Sequence, residues 1–458
     1  MEHKFPFSLA LFCIGLTVVM MIVCLAVFHT VPQIPLLLGC AVAVGAGLIH
    51  GCSPRDIGAG VVQSVRRSLE AICILLLIGA LIGVWIAAGV VPAMVRYGLQ
   101  IISPRWFLAS AMLVCALISM VLGSWGTAGT VGLAFMGMAH AMGVPLPLTA
   151  GAVISGSYVG DKLSPLADTT NLAAAVAEEK IFTCIRHIFK VSAPVFLLCL
   201  IVYGALGLRY GDETAGTDQF SGMIRALDGA FQLSPLCLLP LLILLLCMLI
   251  RIPAIPSLAV GILSGLVYGL AAQHRSFSAL LRCLLWGFTG ETGNATVDQL
   301  LSAGGVFSMG YTVSIVLLAM SLGGIMEQTG QMESLISPLM KRSRSSASLM
   351  TAAVFTSVGT NILLPDQYIA ITLPGRMYAK AFDRRGLRRK DLALSIGVGG
   401  ALTSALVPWN TCGTFMAGIL GVPTAVYLPY VFYNLAMPLA VVLFALIYQK
   451  KMRQTASV

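Results

Sequence analysis

Ser155-Gly-Ser-Tyr-Val-Gly-Asp-Lys-Leu-Ser-Pro-Leu-Ala-Asp-Thr-Thr-Asn171 is a polar stretch set into an apolar chain. It closes an apolar run over about 130–160 and is followed by another over about 189–208. Glycine and proline inside a span free backbone carbonyls from the helical ladder. Such backbone is tolerated at membrane depth only where protein or a water-filled cavity satisfies it. A carboxylate in the bilayer is costly and marks function by default. The seven-residue spacing of Asp161 and Asp168 would put both on one helical face, but Pro165 between them argues against a continuous helix. The stretch therefore predicts helices broken at membrane depth around a polar site.

The same pattern covers the whole chain. Of 458 residues 58% are hydrophobic and 10% charged, with a mean hydropathy of +0.93; soluble domains are roughly a quarter charged. A soluble, a disordered and a collagen-like chain are all excluded. Apolar stretches recur near 7–29, 32–51, 69–95, 107–122, 130–160, 189–208, 232–250, 252–273, 304–326, 346–364, 392–407 and 424–448. At about 20 residues per span they predict an all-α polytopic membrane protein of roughly ten to twelve spans. The run Phe5–Phe28 is too long for a signal-peptide core and no A-x-A-like site closes it, so it is expected to remain as a first helix.

The net charge of +10 does not point to nucleic acid, because no soluble basic surface exists to carry it. The basic residues cluster beside apolar segments: Arg55, Arg66 and Arg67; Lys341, Arg342 and Arg344; Arg384 to Lys390; Lys450, Lys451 and Arg453. Such clusters read as cytoplasmic loops, which puts both termini in the cytoplasm. The 12 cysteines contain no CxxC pair and lie mostly in apolar runs, as inert small hydrophobes. The histidines form no ligand cluster and are expected at the interfaces.

The chain repeats itself. Gly79-Ala-Leu-Ile-Gly-Val-Trp-Ile-Ala-Ala-Gly89 corresponds to Met320-Ser-Leu-Gly-Gly-Ile-Met-Glu-Gln-Thr-Gly330, pairing Gly83 with Gly324 and Gly89 with Gly330 at an offset of 241. Gly126-Thr127 corresponds to Gly359-Thr360 at 233, and Pro165 to Pro408 at 243. The expected organisation is N-terminal helices over 1–68, a first repeat over 69–208, a polar linker over 209–231, scaffold helices over 232–303, and a second repeat with a C-terminal helix over 304–458. The loops flanking Gly359-Thr360-Asn361 carry three and six basic residues, whereas their counterparts in the first half are sparse. That asymmetry predicts two inverted repeats.

Four segments, two per repeat, supply the oxygen ligands that a hard cation needs: Gly123–Thr130, Ser155–Asn171, Thr356–Asp366 and Pro408–Thr414. Matched Gly/Pro-interrupted segments point to a transporter site. Single hydroxyls such as Ser124 and Thr130 serve equally well as packing surfaces between membrane helices. The carboxylates carry more weight: Asp168 above all as the proton-coupling group, then Asp161, which could also pair with Lys162. Asp366 and Glu327 are secondary candidates that could lie at helix ends in water.

Gly-Ser-Trp-Gly-Thr-Ala-Gly-Thr, Gly-Asp-Lys-Leu-Ser-Pro-Leu-Ala-Asp-Thr-Thr-Asn and Pro-Trp-Asn-Thr-Cys-Gly together resemble the NhaC family of bacterial Na⁺/H⁺ antiporters, over about Leu75 to Tyr448. The resemblance implies re-entrant hairpins, an elevator-like transport domain and a multi-pass place in the bacterial cytoplasmic membrane. It implies a Na⁺ and proton site drawn from Ser124, Thr127, Asp161, Asp168, Thr169, Thr170 and Asn171, with Thr360, Asn361, Asn410 and Thr411 from the second repeat. Li⁺ is a further candidate substrate. No cofactor is expected beyond the transported ions; the partners are the lipid bilayer and small ions, with room for a homodimer. Similar motifs occur in relatives that exchange malate for lactate or carry amino acids, for which Lys162 and Arg376 are the nearest counter-charges. An intramembrane aspartyl protease is a remote alternative: Tyr158 stands where its Gly-x-Gly-Asp signature needs glycine, and no nucleophile–base pair supports an enzyme.

Overall fold

A computed structural model describes residues 5–28, 30–210, 216–335, 345–364 and 366–455. The basic cluster Lys341–Arg344 lies outside the described residues, as do Asp212 and Glu213 of the expected linker. Every regular element among the described residues is helical. Among the described residues, seven helices are long and apolar enough to cross a membrane, or nine if each of two pairs bent by 81° and 86° is one span. Three shorter apolar helices, Gln33–Ile49, Phe277–Trp286 and Phe432–Ile447, complete the expected ten to twelve apolar segments. Leu242, Leu246, Leu263, Val267, Leu439 and Leu443 turn large apolar side chains outward, as a lipid-facing surface requires.

The first helices are α1 (Phe7–Ala26), α2 (Gln33–Ile49) and α3 (Pro54–Ala87). Arg55, Arg66 and Arg67 are not in a loop as expected; they ride on the first turns of α3, a single 34-residue helix. Its start is well specified. Ser53 Oγ accepts the Arg55 N–H at 3.2 Å, Pro54 opens the first turn and Asp56 complements the dipole. α4 (Val90–Ile101) follows Gly89. Then come α5 (Phe107–Thr127), α6 (Leu133–Ala141), α7 (Leu146–Leu163), α8 (Asp168–Val176) and α9 (Ile181–Gly207). The linker is partly helical, since α10 covers Gly216–Ala230. The scaffold continues through α11 (Leu239–Leu249), α12 (Ala254–Ala271), α13 (Phe277–Trp286) and α14 (Ala295–Leu301). The last group is α15 (Gly310–Gln328), α16 (Ser346–Leu363), α17 (Gln367–Arg384), α18 (Arg389–Gly397), α19 (Thr411–Leu420), α20 (Thr424–Tyr427) and α21 (Phe432–Thr455).

α5 breaks at Gly123, whose φ of 69° and ψ of 175° are open essentially to glycine alone. The chain folds back there: Phe107 before the break and Phe135 after it stack edge-on at 5.7 Å. The second repeat builds the same hairpin between α16 and α17, where Thr356 and Tyr378 hydrogen-bond at 2.9 Å across its two arms. Leu364 lies 241 residues beyond Gly123. This offset agrees with the two other repeat matches and corrects the Gly126-Thr127/Gly359-Thr360 pairing, which is out of register by about two turns. Small residues recur in both segments, so an apolar glycine-threonine match comes cheaply.

α9 serves as a ruler for direction. α7 packs Ser155 against Tyr203 near the C-terminal end of α9 at 2.9 Å, and α8 then leads back to the N-terminal end. α18 begins at that N-terminal end, with Asp391 2.8 Å from His187. The two broken helices therefore run in opposite senses. α3 and α15 also lie antiparallel: Gly60 meets Gly324 and Gln328, while Gly79 meets Gly305 and Met309. The repeats are inverted. Gly89 and Gly330 both adopt φ 77°, and a Cβ on Gly83 or Gly324 would strike a neighbouring backbone carbonyl.

Candidate functional site

Asp161 ends α7, just before the Ser164–Ala167 break, and only 6% of it is exposed. Each carboxylate oxygen is held. Oδ1 accepts the Ser124 N–H at 3.4 Å, a donor released from the helical ladder by the Gly123 break. Oδ2 accepts the Thr169 hydroxyl at 2.8 Å and lies 3.3 Å from Lys162 Nζ. Lys162, 1% exposed, also donates to Thr169 Oγ1. Thr170 Oγ1 bonds the Asp161 carbonyl at 3.1 Å, tying the start of α8 to the end of α7. Asn171 closes the break by donating to the Pro165 and Ala167 carbonyls at 2.9 and 3.0 Å. Ser164 Oγ donates to the Met120 carbonyl on α5. The proline break thus brings residues seven and eight positions apart into one cluster.

A cavity of about 560 Å³ leads to this cluster. Its lining includes Ile74 and Ile78 of α3, Met248 of α11 and Leu258 of α12. It also includes both hairpin apices, Gly123–Gly126 and Asp366–Tyr368, together with Asp161, Asp168 and Thr169. Arg67, Glu70, Phe182 and Arg251 form an exposed rim. The rim sits at the N-terminal end of α9, the same side as Arg389, which lies 3.7 Å from Glu178.

Asp168 opens α8 and is exposed to the cavity, whereas Asp161 is the buried carboxylate. Asp366 is buried, caps α17 by accepting the Ile369 N–H at 2.9 Å, and lines the same cavity. Glu327 lies outside the cavity lining, in an exposed two-pronged pair with Arg67 at 2.9 and 3.3 Å. Neither expected counter-charge is available at the cavity: Lys162 is committed to Asp161, and Arg376 is exposed outside the lining.

The second-repeat residues form a buried cluster of their own. Asn361 Nδ2 donates to the Gly400 carbonyl at 2.5 Å and to Thr403 Oγ1 at 3.0 Å, and its Oδ1 accepts from Asn410 Nδ2 at 3.1 Å. Asn410 Oδ1 caps α19 through the Cys412 N–H at 3.1 Å, with Thr411 Oγ1 3.4 Å away. Thr127 and Thr360 spend their hydroxyls on carbonyls one turn back in their own helices, at 2.8 Å each. Trp125, at the first apex, stacks on Phe415 of α19 at 4.4 Å and joins the two repeats. Among the described residues no three His, Cys, Asp or Glu side chains converge as a metal cage. Hydroxyl, amide and backbone oxygens must therefore complete any cation shell.

The Lys162 pairing with Asp161 that the sequence suggested is present; Thr403 and Glu70 were not singled out, and Trp125 was quoted within its segment without a role. Thr403-Ser404 before Pro408 was a visible hydroxyl signal; Glu70 gave none. His187 is buried at 6% exposure against Asp391, because α9 and α18 converge there.

The Na⁺/H⁺ antiporter family profile matches residues 156–447. The chain is 38% identical to the Na⁺/H⁺ antiporter NhaC of Bacillus subtilis, covering 96% of this chain and 97% of that one. It is 34% identical to the protein of the same name from Alkalihalophilus pseudofirmus, over 97% and 96%. It is 32% identical to the malate-2H⁺/Na⁺-lactate antiporter of Bacillus subtilis, over 91% and 90%.

Proposed function

The chain belongs to the Na⁺/H⁺ antiporter family, and from that premise we propose that it exchanges cytoplasmic Na⁺ for external H⁺ as a multi-pass membrane transporter. The observation that carries the site is Asp161: a buried carboxylate reached from a cavity and held by one freed N–H, one hydroxyl and one ammonium. We assign it, with Thr169 and the Ser124 break, as the cation site, and Asp168 as the carboxylate that passes ions between cavity and site. Na⁺ and protons compete for the same negative charge, so Na⁺ affinity falls as pH falls. The exchange needs no resident cofactor.

The basic rim and the Arg384–Lys390 turn put the open cavity on the cytoplasmic side under the positive-inside rule. The cavity is lined both by α3, α11 and α12 and by the hairpin apices, which suits an elevator-like movement of the hairpin body past α3. In proteoliposomes, Na⁺ and Li⁺ should collapse an imposed pH gradient. Asp161→Asn should abolish that exchange at every pH, and Asp168→Asn should abolish it or cut it sharply. Full activity in both variants would remove the assignment and shift it to Asp366. A second reading, an organic acid carried with Na⁺ and H⁺, is favoured by one feature: the cavity far exceeds a Na⁺ ion and has Arg251 on its rim. Gradient collapse that requires malate or lactate would select it.

A further inference from the structure

We infer that Glu327 sets the sign of charge that the cavity admits: by holding the Arg67 guanidinium, it favours entry of cations over organic anions. This rests on the antiporter reading and adds to it a specificity-determining residue that touches no transported ion. Arg67 lines the cavity on α3, whereas Glu327 stands outside the lining on α15. The two meet end to end, Nη2 to Oε2 at 2.9 Å and Nη1 to Oε1 at 3.3 Å. Such a two-pronged fit fixes the plane of the guanidinium as well as its position. Among the described residues this is the ion pair that Arg67 makes, although Glu70 lies three positions on along the same helix.

Helix packing decides which way Arg67 points. Gly60 packs directly on Gly324 and Gln328, so Glu327 stands nearly level with Gly60, and Arg67 begins about two turns further along α3. To reach Glu327 its side chain runs back towards the N-terminal end of α3, the direction long helical side chains prefer. Glu70, one turn on the other way, is exposed and lines the cavity. It lies within electrostatic reach of Asp168, and Arg67 within that of Asp366. Without Glu327 the guanidinium would be free to turn to Glu70 or into the cavity. Either way the mouth gains one positive charge, beside Arg251 on the same rim. An entering Na⁺ ion would be repelled and a carboxylate drawn in. The two side chains are 38% and 42% exposed, so solvent screens the pair and its influence falls on ion entry, not on the ion once bound.

The test is Na⁺-driven proton movement in proteoliposomes, with Na⁺ supplied on the cavity side at low ionic strength. Glu327→Gln should raise the KM for Na⁺ roughly three- to tenfold and leave kcat unchanged. Added salt of a bulky organic cation should shrink that difference. Arg67→Gln combined with Glu327→Gln should restore the wild-type KM. Malate should inhibit Glu327→Gln at a several-fold lower concentration than it inhibits the wild type. Exchanging the two charges, Arg67→Glu with Glu327→Arg, separates selection from mere bracing of α3 on α15. The exchange keeps the pair but turns the carboxylate to the cavity, so its KM should fall below that of the wild type. A pair that only braces the helices would give a wild-type KM in the exchanged protein and a loss of kcat in Glu327→Gln. Either result, an unchanged KM in Glu327→Gln, or equal sensitivity to malate would overturn the inference while leaving the antiporter reading intact. A wild type without Na⁺-driven proton movement would instead remove the reading on which it rests.

Discussion

Gly123 shows how much one residue can decide. Its backbone conformation releases the Ser124 N–H toward Asp161 and turns α5 back on itself. A Cβ there would find space, with Asp161 Oδ1 at 3.6 Å, so the constraint lies in the dihedral angles and not in packing. Gly123→Ala should therefore cost about 1–3 kcal/mol while leaving the protein able to insert. The strain can relax only by moving the apex, and the apex holds the donor to Asp161. Thermal unfolding in detergent should show the loss, and Na⁺ should protect the variant less than the wild type. Unchanged protection by Na⁺ would mean that the Ser124 N–H does not help to form the site.

At the scale of elements, the site depends on how closely α5 and α7 approach. Gly156-Ser-Tyr-Val-Gly160 presents two glycines one turn apart, and a Cβ on either would enter the backbone of α5, at the Met112 and Ala116 carbonyls. Small residues at this spacing let membrane helices pack backbone to backbone. Ser119 Oγ adds a 2.5 Å bond to the Ser157 carbonyl across the same contact. Gly160→Val should push the helices apart next to Asp161 and weaken Na⁺ binding more than tenfold, a loss of roughly 1.4 kcal/mol or greater. Equilibrium Na⁺ binding to the purified variant would measure this. Wild-type affinity would show that α5 can yield without disturbing the carboxylate. The Ser164–Ala167 break is the complementary element, since it alone lets Thr169 and Thr170 reach back to Asp161.

At the scale of the molecule, inversion follows from helix directions and does not need a membrane to be seen. α7–α8 opposes α9 and α18 follows it, while α21 runs back along α9, with Tyr433 2.7 Å from Ser192 and Phe444 edge-on to His187. What remains to be measured is which side faces the cytoplasm. In a cysteine-free background, Arg385→Cys should be shielded from an impermeant thiol reagent applied outside whole cells, and Ser103→Cys should react with it. Labelling of Arg385→Cys from outside would reverse the topology and make the cavity outward-open.

The membrane class, the repeat, its inversion and the four broken segments were legible in the sequence, because hydropathy, charge asymmetry and Gly/Pro placement are local properties. Asp161, Asp168, Ser124 and Thr169 stood out too, as polar residues where the bilayer penalises them. Their depths were not legible. Burial decides whether a carboxylate lies deep or on the cavity side, and burial depends on how the hairpin apices meet α3, which no local pattern records. The same holds for Glu327, paired with an arginine 260 positions away, and for His187, buried only because α9 meets α18. Sequence determined which residues resist being dissolved in lipid; the tertiary structure decided which of them face one another, since contacts between distant segments arise only when the helices pack.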